Sequence, residues 1–188
     1  MSSQDGSQQP DPRIDPLVKP GAFATGLAVI HSQEEFMLDF INGMSAPPLV
    51  AARIVVTSQQ LKRILHVLRE NIRLYEEAFG AIPATASNAS SKNTNAGDLY
   101  AQLHVPDELL GGSYSNAMTS RYTRDVFILD FMTKFPPVAK VVSRLLISTQ
   151  QIRSISGAIE DNIAQYEKRY RKIEEAKSAD QSPGFSLN

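Results

Sequence analysis

The sequence predicts an α+β fold: two tandem β-β-β-α units packed as a pseudo-twofold fused dimer, an antiparallel sheet with two long amphipathic helices. Three observations lead there. Residues 21–82 and 112–173 align without a gap at an offset of 91, with 15 identities over 62 positions. Each copy passes from strand-like alternation to a stripe of apolar residues spaced by three and four, the signature of an amphipathic helix. A lone unit of this size buries roughly 60% of its unfolded surface, a marginal core that pairing relieves. Two units are also too few for a stacked solenoid.

The first strand is expected over 23–32 and again over 114–123. A polar corner follows, Ser32-Gln33-Glu34 or Thr123-Arg124-Asp125. The second strand covers 35–41 and 126–132, where FMLDF matches FILDF and Phe36, Leu38 and Phe40 share one face. Pro47-Pro48 and Pro136-Pro137 break the chain before a third, aliphatic strand over 50–56 and 141–147. Thr57 and Gln60 then form a helix capping box, repeated by Ser148 and Gln151. The first stripe runs Leu61, Ile64, Leu65, Leu68, Ile72, Tyr75, Phe79 and stops at Gly80. The second runs Ile152, Ile155, Ile159, Ile163, Tyr166, Tyr170, and with no glycine to stop it the helix is expected to continue to about Lys177. The organisation read from this is a disordered tail over 1–20, a first repeat over 21–82, a flexible linker over 83–102, a second repeat over 103–177, and a loose tail over 178–188.

The order of these motifs resembles a prokaryotic family, the domain of unknown function 3467. Its pattern runs Tyr-Ser-Asn, Glu-Phe-x-Leu-Asp-Phe, Arg-Ile/Val-x-x-Ser/Thr, and a helix ending Glu-Asn-Ile-x-x-Tyr-Glu. Copy one matches at Glu35-Phe36, Leu38-Asp39-Phe40, Arg53-Ile54, Thr57, Glu70-Asn71-Ile72 and Tyr75-Glu76. Copy two matches at Tyr114-Ser115-Asn116, Leu129-Asp130-Phe131, Arg144, Ser148, Asn162-Ile163 and Tyr166-Glu167. Copy one has Phe23-Ala24-Thr25 where the family has Tyr-Ser-Asn. The resemblance implies a small self-associating module and supplies no activity.

Composition narrows the chemistry. The chain has no cysteine and a net charge of −1. Thiol catalysis, cysteine-ligated zinc and a chain-wide field for polyanions are therefore excluded. No stretch approaches the length of a membrane span and the N-terminus lacks a signal-like apolar run, so a cytoplasmic protein without membrane contact is expected. His31, His66 and His104 lack ligand spacing, and no phosphate-binding or nucleophile-elbow motif occurs, so no metal and no cofactor is expected.

Asp39 and Arg53 recur as Asp130 and Arg144. An antiparallel hairpin pairing Phe36 with Val56 also pairs Asp39 with Arg53, so these are expected to be structural cross-strand ion pairs. A carboxylate already held by arginine is a poor general base. Asn71 and Asn162 sit beside the apolar stripes, where a polar hydrogen bond across the helix interface would set register. Copy two has ten basic and five acidic residues, against five and six in copy one. Its Arg121, Arg124, Lys134 and Lys140 interleave with Tyr114 and Tyr122, a combination that can bind single-stranded nucleic acid. The expectation is a non-enzymatic interaction or assembly module with a protein partner and possible self-association. The alternative is a single-stranded nucleic-acid-binding protein that uses the second repeat.

Overall fold

The first strand of each copy is broken in two, and its two pieces belong to different sheets. This is seen in a computed structural model that describes residues 13–14, 21–83 and 96–174. In copy one the elements are β1 (Arg13–Ile14), β2 (Ala22–Ala24), β3 (Gly26–His31), β4 (Glu35–Asn42), β5 (Leu49–Thr57) and α1 (Ser58–Phe79). A short helix α2 (Ala96–Tyr100) and a 3-10 turn (Asp107–Leu109) lead into copy two. That copy is built from β6 (Ser113–Tyr114), β7 (Ala117–Tyr122), β8 (Val126–Phe135), β9 (Val138–Ser148) and α3 (Thr149–Arg169).

Strands β3, β4 and β5 form an antiparallel meander, and β7, β8 and β9 repeat it. The register of the second hairpin in each copy follows from burying one face. Phe36, Leu38 and Phe40 are fully buried, as are Phe127, Leu129 and Phe131, and a one-residue slip would turn all of them to solvent. Both meanders carry an irregularity at the same place, after Phe40 and after Phe131, where the extra residue bends the strand.

The short pieces cross between copies. β2 pairs in parallel with β9, and β6 pairs in parallel with β5. Each copy thus lends its first few strand residues to the other copy's sheet before crossing to its own. The crossing is pinned by the tripeptide that distinguishes the two copies. Asn116 donates from Nδ2 to the Lys134 carbonyl at 3.0 Å and accepts from the Lys134 amide at 2.7 Å. At the equivalent place Thr25 Oγ1 accepts from the Gly43 amide at 2.9 Å and lies 3.2 Å from the Ile41 carbonyl. The differing residues of copy one therefore do the same backbone work. The exchange extends further upstream: Arg13 bridges Lys140, and His104, 91 positions after Arg13, bridges Leu49, both in parallel. The repeat starts earlier than residues 21 and 112.

The helices lie antiparallel across the interface. Lys62 pairs with Glu167 at 2.7 Å, Arg69 with Glu160 at 2.5 Å, and Glu76 with Arg153. The outer two of these pairs are copies of each other. Each helix packs on the partner's sheet: the Tyr75 hydroxyl donates to the Arg124 carbonyl at 2.7 Å, and the Tyr166 hydroxyl donates to the Gln33 carbonyl at 2.7 Å. Phe40 and Phe131, at equivalent positions, meet with ring centroids 5.6 Å apart in the one continuous core. These reciprocal contacts are those of a pseudo-twofold fused dimer.

Helix ends differ from expectation in one copy. Thr57 Oγ1 accepts from the Gln60 amide at 3.2 Å, whereas the Ser148 side chain makes no such bond. The α3 helix does not continue to Lys177; it ends at Arg169. There the chain folds back to bury Ile173, whose amide donates to Glu167 Oε1 at 3.0 Å. Ile82 does the same with Glu76 Oε1 at 2.9 Å. A buried apolar anchor ends both helices, and the charged residues after Tyr166 do not decide the matter. The expected tail over 178–188 and most of the expected linker and N-terminal tail lie outside the described residues, but Arg13–Ile14 is strand and Ala96–Tyr100 is helix.

Candidate functional site

Alternation along β4 and β8 sends Asp39 and Asp130 to the face opposite the core. Arg53 clasps Asp39 through two hydrogen bonds, Nε to Oδ1 at 2.7 Å and Nη2 to Oδ2 at 2.8 Å. Arg144 does the same to Asp130 at 2.6 and 2.8 Å. Bidentate pairs of this kind are both strong and geometrically fixed. In each the carboxylate hydrogen bond holds the arginine more firmly protonated than usual.

The surroundings of the two pairs differ. Asp39 is fully buried, and the Tyr100 hydroxyl from α2 donates to its Oδ2. Arg53 Nη1 donates to the Leu110 carbonyl at 3.2 Å. Gly112, at φ +65°, packs where a Cβ would lie 3.1 Å from Arg53 Cγ, so a side chain there would collide with the clasp. Burial first, and the Asp39 carboxylate second, push the Tyr100 phenol above its ordinary range. Asp130 instead receives a second guanidinium, Arg121 Nη2 at 2.9 Å. The Arg121 side chain is 60% exposed, against 9% for Arg53. Nothing in the spacing of Tyr100 signalled its role, because it lies in a stretch rich in alanine, serine and asparagine.

The residues expected to bind nucleic acid are not brought together. Tyr122 lies on the core face, in ring contact with Tyr75, Phe79 and Phe127. It is no exposed stacking platform. Tyr114 is 45% exposed but belongs to the sheet of copy one, beside Val55. Arg121 is committed to Asp130 on the outer face, and the Arg124 guanidinium lies 5.6 Å over the Phe79 ring. Lys134 and Lys140 sit toward the β8–β9 hairpin, with Lys140 in register with Arg13. At about 3.3 Å per residue along β8, Lys134 is roughly 23 Å from the Tyr122 end. The basic, aromatic sheet face is not assembled as one surface.

Asn71 and Asn162 are likewise corrected. Each donates from Nδ2 to the carbonyl one turn back in its own helix, Val67 or Ala158, at 2.9 Å. This local bond competes with cross-helix pairing, and the interface is instead tied by charged residues. His31 packs against Phe36, Tyr166 and Tyr170. Among the described residues no group of three or more acidic residues or histidines could hold a metal ion, and no helix is long and apolar enough to cross a membrane.

The fold and its reciprocal contacts define a tandem α+β pseudo-dimer. The model of the family described as a protein of unknown function, DUF3467, matches residues 1–84 and again residues 86–175. The chain belongs to that family, as a tandem duplication of its domain. Both matches take in the segments before residues 21 and 112, in keeping with the exchanged strands that begin at Arg13 and His104. No curated protein and no solved structure matches the chain.

Proposed function

We propose that the protein is a non-catalytic interaction module that presents its hairpin tips to a protein partner, in the cytoplasm. One observation carries this reading. Met44 and Phe135 occupy equivalent positions, 91 residues apart, and are 78% and 61% exposed. Val138, opposite Phe135 in the β8–β9 hairpin, is 63% exposed. Single exposed apolar residues are common on any surface. A large apolar side chain at the same tip in both copies is a repeated feature, and exposing it gives the fold itself no stabilisation. The acidic groups support a non-catalytic reading, since Asp39 and Asp130 are each clasped by arginine and serve the sheet.

The test is affinity capture from lysate with the tagged full-length chain, with and without nuclease. The wild type is expected to retain a protein partner after nuclease, and a Met44→Ser, Phe135→Ser, Val138→Ser variant to lose it while keeping its thermal midpoint. Loss of every captured species on nuclease treatment would instead favour nucleic acid as the ligand.

A further inference from the structure

Among the described residues β3 ends its sheet, and β7 ends the other sheet at the equivalent place. An end strand leaves half of its backbone groups without a strand partner. The Ser32 amide donates to the Glu35 carbonyl at 2.9 Å, and β3 keeps that register against β4. Hydrogen-bonded pairs alternate along an antiparallel ladder, so Ala28 and Ile30 turn their amides and carbonyls to β4. Leu27, Val29 and His31 turn theirs outward.

The two end strands are guarded differently. β7 reads Ala-Met-Thr-Ser-Arg-Tyr, and Arg121 stands largely exposed on its outer face. A charge on an end strand opposes the approach of another strand. β3 reads Gly-Leu-Ala-Val-Ile-His, with no lysine, arginine, acid or proline, and its ladder with β4 has no irregularity. Ile30 stands where β7 has Arg121, and it is exposed. The helix packed on each strand repeats the contrast. On β7, α1 carries exposed Arg63 and His66; on β3, α3 has Ser154 and Gly157 at those positions, and a Cβ added at Gly157 would meet nothing within 4 Å.

We propose that β3 pairs antiparallel with β3 of a second copy of this chain, joining two four-stranded sheets edge to edge. The strand is its own complement. With Val29 opposite Val29 of the second copy, Leu27 falls opposite His31, and every outward-facing residue from Leu27 to His31 exchanges two backbone hydrogen bonds with its opposite number. The same register sets Ala28 beside Ile30 on the outer face, small against large, and covers the exposed isoleucine. The twofold runs through Val29 across the sheet, so the core faces stay on one side and the two α3 helices lie side by side. Ser154 and Gly157 let them approach, whereas the same contact through β7 would set Arg63 and Arg121 against their own copies. The hairpin tips play no part in it.

The experiment is sedimentation velocity of the full chain from about 10 μM to about 1 mM, paired with hydrogen exchange of the backbone amides at both ends of that range. One strand pair is a small interface, so a monomer–dimer equilibrium with a dissociation constant of about 0.1 mM is expected. Exchange at Leu27, Val29 and His31 should slow as the dimer forms, while their counterparts Met118, Ser120 and Tyr122 exchange alike at both concentrations. Ile30→Arg, which installs the side chain of the other end strand, should weaken the dimer at least about tenfold and keep the thermal midpoint. Replacing Met44, Phe135 and Val138 by serine should leave the dimer unchanged. The proposal is overturned by a chain that stays monomeric at about 1 mM, by β3 amides already slow in the monomer, or by matching protection along β7. It is equally overturned by a folded Ile30→Arg variant that dimerises as well as the wild type, or by loss of the dimer in the hairpin-tip variant.

Discussion

The two copies share an ion pair and differ in what covers it. Around Asp39 the chain closes the outer face: Tyr100 donates to the carboxylate, and Leu110 takes the spare guanidinium hydrogen of Arg53. Asp130 is also buried, at 6% exposure, but there Arg121 supplies a second, largely exposed cation. The same two residue types are thus a cluster closed over by neighbouring segments in one copy and a triad with an exposed second guanidinium in the other. The environment, and not the pair itself, sets how much depends on it.

That contrast is testable by removing one partner. Arg53→Ala strands a fully buried carboxylate, which should cost about 3–5 kcal/mol of stability. Arg144→Ala leaves the buried Asp130 still paired with Arg121, so a smaller loss of about 1–2 kcal/mol is expected. Urea unfolding of the two full-length variants measures the difference. Equal losses would show that the covering segment does not matter.

An effect smaller than that of Arg53→Ala follows from Tyr100→Phe, which removes a hydrogen bond to a charged acceptor and should cost about 1.5–3 kcal/mol. The phenol's folded pKa lies above its unfolded value, so its contribution is fully present below about pH 10 and is lost as pH rises through the folded value. Alkaline titration of tyrosinate absorbance should show a late-ionising phenol in the wild type that is missing from Tyr100→Phe.

At the acid end the relevant groups are Glu76 and Glu167, each a helix-crossing ion-pair partner that also accepts a backbone amide. Hydrogen bonds from Arg153 and from Lys62 hold the two carboxyls below the ordinary range. A depressed folded value contributes stability above the unfolded pKa, near 4.5, and loses it as pH falls further. Glu76→Gln with Glu167→Gln should therefore flatten the acid limb of the stability profile while changing little at alkaline pH. The smallest expected change is at Arg69 and Glu160, both more than half exposed. Arg69→Glu should cost about 0–1 kcal/mol, and adding Glu160→Arg should restore it.

Much of each unit was legible because burial of one face leaves few alternatives. Phe36, Leu38 and Phe40 must point inward, so the partner of Asp39 could be counted out along the hairpin. The capping box at Thr57 marked the start of α1 in the same way. The exchanged strands were not legible. They are pieces of two or three residues whose parallel pairing leaves no alternation to read, and β1 is visible only through the equivalence of Arg13 and His104. Tyr100 and the asparagines illustrate a second limit. A side chain's partner is set by what the tertiary fold brings near it, and local spacing does not encode that. The end of α3 was missed because buried Ile173 outweighs the run of charged residues around it.

The contact between Arg69 and Glu160 has a consequence for how such a molecule can be assembled. The two residues are equivalent, 91 positions apart, so they lie where the twofold would pass between the helices. In a dimer of identical chains that spot faces only itself, and any charge placed there opposes a like charge. Encoding both halves in one polypeptide removes the restriction, and here it is filled by opposite charges. Two first repeats would set arginine against arginine, and two second repeats glutamate against glutamate. The halves are no longer interchangeable parts: each is shaped to prefer the other over a duplicate of itself.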